Sequence, residues 1–165
     1  MAENDQSGSE NGSMAADEQI APQLRVITQY IKDMSFENPG APQSLTPQSE
    51  APKIGVNVDV GVRGLSETDF EVEIKLSVEA NAADTPIFIV ELTYAGICRL
   101  ENIPQESMQA VLLIECPRMI FPFARRIVAD ATRDGGFPPL MIDPIDFALL
   151  YRQQMSEAQS TVGNA

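Results

Sequence analysis

KIGVNVDVGVRGLSETDFEVEIKLSVEANAADTPIFIVELTY, residues 53–94, decides the fold. Ile54, Val56, Val58, Val60 and Val62 alternate with Gly55, Asn57, Asp59 and Gly61. Phe70, Val72, Ile74, Leu76 and Val78 alternate with Glu71, Glu73, Lys75, Ser77 and Glu79. Phe88, Val90, Leu92 and Tyr94 alternate with Ile89, Glu91 and Thr93. Period-two alternation on three successive runs predicts antiparallel strands with one face on a core and one in water. The connections at Gly64-Leu65-Ser66 and Asn81-Ala82-Ala83-Asp84 are short enough for hairpins.

Upstream, residues 24–37 read as a further strand. Leu24, Val26, Thr28, Tyr30, Met34 and Phe36 fall on one face; Ile27, Ile31, Asp33 and Glu37 fall on the other. Asn38-Pro39-Gly40-Ala41-Pro42 ends it, and the proline-rich segment 39–52 is a long connection without regular structure. The expected sheet is a four-stranded meander with a long first crossover.

Downstream the period changes. Residues 104–115 read as a first helical segment with Pro104 at its first position, interrupted at Cys116-Pro117. The main helix is expected over 121–134, with Pro122 in its first turn. Ile120, Ala124, Ile127, Val128 and Ala131 make an apolar stripe, which Met119 and Phe123 widen beyond one buried face. Gly135-Gly136 supplies a left-handed end. Asp143 caps a last helix with Pro144 at its first position and Asp146 in its first turn; Phe147, Leu150 and Tyr151 give it an apolar face, and Met155 extends it. Strands first and helices afterwards predict an α+β domain, a four-stranded antiparallel sheet with two main helices packed on one face.

The chain has 165 residues, 44% of them hydrophobic. That fits one domain, 22–157, between an acidic N-terminal tail, 1–21, and a short C-terminal tail, 158–165. A net charge of −13 argues against nucleic acid and toward a basic partner. The N-terminus has no signal-peptide pattern, and no apolar run reaches the length of a membrane span, so no direct membrane insertion is expected. Histidine is absent, which removes Ser-His-Asp and Cys-His catalysis and the usual zinc site. Neither a Walker loop nor a G-x-G-x-x-G is present, so no nucleotide hydrolysis, no cofactor and no metal are expected. Cys98 and Cys116 read as two reduced, half-buried thiols.

The blocks ECPRMIFPFARR (115–126) and ATRDGGFPPLMIDPIDF (131–147), with KDMSFENPGAP (32–42) and AGI (95–97), resemble the SecB protein-export chaperones over most of 26–151. The resemblance implies a bacterial cytoplasmic homotetramer, a dimer of dimers. Such a protein is not an enzyme: it holds preproteins unfolded without ATP and hands them to the SecA motor. It places the SecA-binding patch on Asp33, Glu37, Ile89 and Glu91, facing a basic, zinc-containing tail whose zinc belongs to SecA. The N-terminal tail here is long and the C-terminal tail only mildly acidic, a departure from the family pattern.

An apolar client groove is expected from Ile54, Val56 and Val58 beside Phe147, Leu150 and Tyr151, with the crossover 39–52 as its wall. Sheet–helix core is an equal reading for Val56 and Val58. The surplus apolar width of the main helix suits a tetramer interface through Ile120, Phe123, Ala124, Ile127, Val128 and Ala131. Two other readings compete. One is a binding adaptor of the same fold serving a different partner, such as a toxin–antitoxin system. The other is a small enzyme using paired carboxylates, which the missing histidine opposes.

Overall fold

The computed structural model describes residues 20–163. The acidic N-terminal tail, apart from its last two residues, lies outside them. Four strands, β1 (Gln23–Glu37), β2 (Lys53–Gly64), β3 (Asp69–Ala82) and β4 (Thr85–Glu101), form one antiparallel sheet in the order β1-β4-β3-β2. β2, β3 and β4 are the expected meander. The crossover carries the chain from one edge to the other, so β1 lies beside β4. Helices follow: α1 (Gln105–Ala110), a π turn (Val111–Glu115), α2 (Cys116–Asp134) and α3 (Phe147–Val162). The α+β reading is therefore what the chain adopts.

The core lies between the sheet and α2. Val72, Ile74, Leu76 and Val78 of β3 point to one side with Val90, Leu92 and Cys98 of β4, and Ile120, Ala124 and Val128 of α2 cover them. Each of the valine, leucine and isoleucine side chains contributes roughly 1.5–3 kcal/mol on burial. Gly96 sets the approach: a Cβ there would stand 3.1 Å from Ile120 Cγ2. Cys98 and Cys116 are free and fully buried in this layer, not half-buried. The hydrogen bond with Cys98, and then burial, push the Cys116 thiol well above the ordinary thiol range.

Local expectations at bulges and helix ends are corrected. First, β1 does not keep one alternation. Its pairing with β4 slips between Val26 and Thr28 and again between Ile31 and Asp33, leaving Ile27 and Lys32 as bulges. Directly paired residues share a face, so Thr28 and Tyr30 turn to the outer face and Ile31 to the helix side. Second, Cys116-Pro117 does not interrupt the helix. The N–H of Cys116 reaches Val111 O, five residues back, and this wider turn absorbs the proline without a break. α2 thus begins at Cys116, and Pro122 is interior. Arg118, four residues before Pro122, is exposed, so water can serve the carbonyl that Pro122 leaves unpaired. Pro104, expected at the first helical position, is the residue before it.

Third, α3 is capped by Asp146, whose side chain accepts from the Leu149 N–H at 3.0 Å, not by Asp143. Residues 137–146 form neither helix nor strand and are fastened to α2. Buried Thr132 accepts from Leu140 N at 2.9 Å, Arg125 donates to Ile142 O at 3.3 Å, and Ile142 is buried. Fourth, the expected tail after Glu157 is helical through Val162. α3 rests chiefly on the Val111–Glu115 turn, and its Phe147 also packs against Phe121 of α2, while α2 meets the sheet.

Candidate functional site

The outer face of the sheet carries a ladder of polar rows. Strand register places Gly55, Glu79, Ile89 and Glu37 side by side across β2, β3, β4 and β1. The next row is Asn57, Ser77, Glu91 and Ser35; the third is Asp59, Lys75, Thr93 and Asp33. Asp33, Glu37, Ile89 and Glu91 therefore share one face and adjoin one another. Ile89 is half-buried between two carboxylates, Glu37 and Glu79. The sequence reading missed Glu79 and Asp59. Both stand in the polar alternation, but only the hairpin register sets Glu79 opposite Ile89. Among the described residues, none of Asp33, Glu37, Asp59, Glu79 and Glu91 forms an ion pair. A depression of about 300 Å³ lies between Asp33, Asp59, Lys75 and Glu91.

The other end of the same face is neutralised. Glu71 is nearly buried and accepts from Tyr30 at 2.6 Å, with Lys32 Nζ at 3.3 Å and Arg63 at 3.0 Å. The Tyr30 hydroxyl, then Lys32 and Arg63, hold its carboxyl below the ordinary range against the effect of burial. Glu73 takes Lys32 at 2.9 Å and Lys75 at 3.4 Å, and Asp69 takes Arg99 at 2.7 Å. This network passes over Ala95 of β4, which is fully buried and small enough to lie beneath it.

The helix side is apolar and incompletely covered. Ile54 and Val56 are exposed and Val58 half-buried. Phe147, by contrast, is 1% exposed and packs edge-on against Phe121, ring centroids 5.7 Å apart. It belongs to the core and presents nothing to a client, which corrects the expected groove. Leu150 and Tyr151 remain half-buried. β2 and α3 both meet the Val111–Glu115 turn, so that turn lies between the two halves of the expected groove.

A different cleft, of about 420 Å³, opens between the crossover, residues 44–52, and Gly136-Phe137-Pro138. Ile87 and Phe137 line it. Behind Phe137 stand Phe88, at 5.0 Å between centroids, and Phe36, at 6.5 Å. The crossover thus lines this aromatic cleft, which holds none of the residues of the expected groove. Two glycines admit the side chains that build it: a Cβ on Gly135 would overlap the Phe36 ring, and one on Gly136 would stand 2.9 Å from Leu45. Gly136 also takes φ +92°, which favours glycine.

Of the residues expected at an assembly interface, Ile120, Ala124 and Val128 are fully buried against this chain's own sheet. They are spent on the monomer core. Phe123 is 48% exposed and Met119 44%; Ile127 and Ala131 are half-buried. No helix is long and apolar enough to cross a membrane, and no three metal-binding side chains converge, among the described residues.

A family model described as SecB, preprotein translocase subunit SecB, matches residues 17–158. A protein-export protein SecB from Parvibaculum lavamentivorans is 57% identical over all of this chain and 98% of the relative. One from a Bradyrhizobium species is 54% identical over 86% of this chain and 88% of its own length. Among solved structures, a SecB-like chaperone of Mycobacterium tuberculosis, in complex with a ChAD peptide from the HigA1 antitoxin, superposes with a TM-score of 0.61. It is 15% identical and covers 75% of this chain and 90% of its own, a likeness of fold.

Proposed function

This chain belongs to the SecB family of protein-export chaperones, and from that premise we propose that it is a cytoplasmic, ATP-independent holdase. It keeps preproteins unfolded and delivers them to SecA. The observation that carries the reading is the division of the sheet: unpaired carboxylates around Ile89 on one side, uncovered apolar surface on the other.

In this reading Asp33, Glu37, Ile89 and Glu91, joined by Glu79, dock the basic tail of SecA. Exposed pairs contribute about 0–1 kcal/mol each, so docking is multipoint, and salt weakens it over a Debye length of roughly 8 Å. Clients bind on the helix side, in the aromatic cleft and along Ile54, Val56 and Val58 toward Leu150 and Tyr151. Ordering an extended client costs roughly 1–2 kcal/mol per residue. Short clients therefore bind weakly, and long ones gain by reaching several grooves of a homotetramer, a dimer of dimers. Extended relatives named for protein export favour this over an adaptor role.

The test separates the two faces. Glu91→Lys is expected to abolish SecA binding in calorimetry while suppression of aggregation of a denatured protein stays at the wild-type level. Unchanged SecA affinity would remove the docking assignment. Failure of the wild type to suppress aggregation would remove the holdase.

A further inference from the structure

Among the described residues, the acidic end of the outer face forms no ion pair although two lysines stand next to it. Lys32 precedes Asp33 in the chain. Lys75 lies directly opposite Asp59, and only Thr93 separates it from Asp33 in the same row. Either ammonium could settle among these carboxylates, and neither does. Both are turned to the neighbouring row by one residue: Glu73 Oε2 takes Lys32 Nζ at 2.9 Å, and Glu73 Oε1 takes Lys75 Nζ at 3.4 Å. The seat of Glu73 is itself built. Its side chain is 20% exposed, and its partner across β2 is Gly61, where a Cβ would stand 3.1 Å from Glu73 Cγ and 3.2 Å from Oε1. Lys32 reaches it only because the β1 bulge takes Lys32 out of register and leaves it on the outer face.

We propose that Glu73 is a positioning residue for the docking surface: it withdraws Lys32 and Lys75 and so leaves Asp33, Asp59 and Glu91 open to the cationic side chains of a basic polypeptide. The inference rests on the docking reading above for its biological partner, though the clamp is a property of the sheet alone. Without Glu73, Lys32 keeps its contact with Glu71, whereas Lys75 has no other ion-pair partner among the described residues. Lys75 then turns to Asp59 and the 300 Å³ depression it already borders, where it competes with an incoming cation. Lys75 is the self-competitor, and Glu73 decides whether it competes.

The experiment is a double-mutant cycle on the full chain, with decalysine as the probe and SecA titrated in parallel. Glu73→Gln should weaken decalysine binding about threefold at low salt, the scale of one exposed ion pair. Lys75→Gln alone should change it less than Glu73→Gln does. The double variant should return to the wild-type level, a rescue larger than the sum of the two single effects, which neither a structural role for Glu73 nor the change of net charge alone would produce. Wild-type far-UV circular dichroism and a cooperative melt above the assay temperature establish that each variant is folded. Unchanged binding by Glu73→Gln, or a double variant as weak as Glu73→Gln, overturns the clamp. If the decalysine cycle behaves as expected and wild type fails to bind SecA, the clamp stands and the docking partner is wrong.

Discussion

Glu71 shows how one residue can belong to stability while others on the same face belong to the proposed docking surface. It is a nearly buried carboxylate, hydrogen-bonded by Tyr30 and flanked by Lys32 and Arg63. Its folded carboxyl titrates below the unfolded value of about 4.3. A depressed carboxylate contributes stability that is fully present above the unfolded pKa and is lost as pH falls through the folded one. Melting temperature should therefore drop between neutral pH and pH 3, with Glu73 and Asp69 adding in the same direction. Glu71→Gln should lower stability by about 1 kcal/mol at neutral pH and make the acid loss shallower, as followed by circular dichroism melts. Thirty-eight residues and a strand separate Lys32 from Glu71, so this role was not legible in the sequence. The alternation gave each residue a face but no neighbour.

At the scale of elements, the strands of the meander were legible because alternation and short turns are local properties. β1 was not, since its two bulges depend on what β4 offers across the ladder. The helices were legible as apolar stripes but misread at their ends. A proline read as a break is absorbed by the π turn, and a plausible cap at Asp143 loses to Asp146 because Thr132 and Arg125 hold the intervening backbone on α2. The C-terminal end of α2 illustrates the consequence for the aromatic cleft in which clients are proposed to bind. Gly135→Ala would push its Cβ into the Phe36 ring. We expect a loss of about 1–3 kcal/mol from overpacking in chemical denaturation, with weaker retention of a denatured client because Phe36 and Phe137 move together. An unchanged denaturation midpoint would show that the ring has room to yield.

For the whole molecule, the apolar surplus of α2 divides in two. The half formed by Ile120, Ala124 and Val128 serves the monomer core, and the half formed by Met119 and Phe123 remains outside. If copies of this chain assemble through the outer half, Phe123→Glu should give a folded species of smaller mass in size-exclusion chromatography with light scattering. Its affinity for long denatured chains should fall more than tenfold while a short peptide binds as before, the signature of lost multivalency. A variant that keeps wild-type mass places the assembly contact elsewhere.

The sequence by itself determined the class of fold, its order of strands then helices, the acidic character of the chain, and the family. These follow from composition, periodicity and contiguous motifs, all of which survive without knowledge of what packs on what. Tertiary structure alone decided which apolar residues are free. Phe147 and Ile120 carry the same local signal as Leu150 and Phe123, and only packing buries the first pair. It decided equally which charges are free. Glu71 and Glu73 look like Glu79 and Glu91 in the chain, but register sets the first two among lysines and arginine and leaves the others without an ion pair among the described residues. Burial and pairing are properties of contacts between distant segments, and residue spacing along one strand carries no record of them.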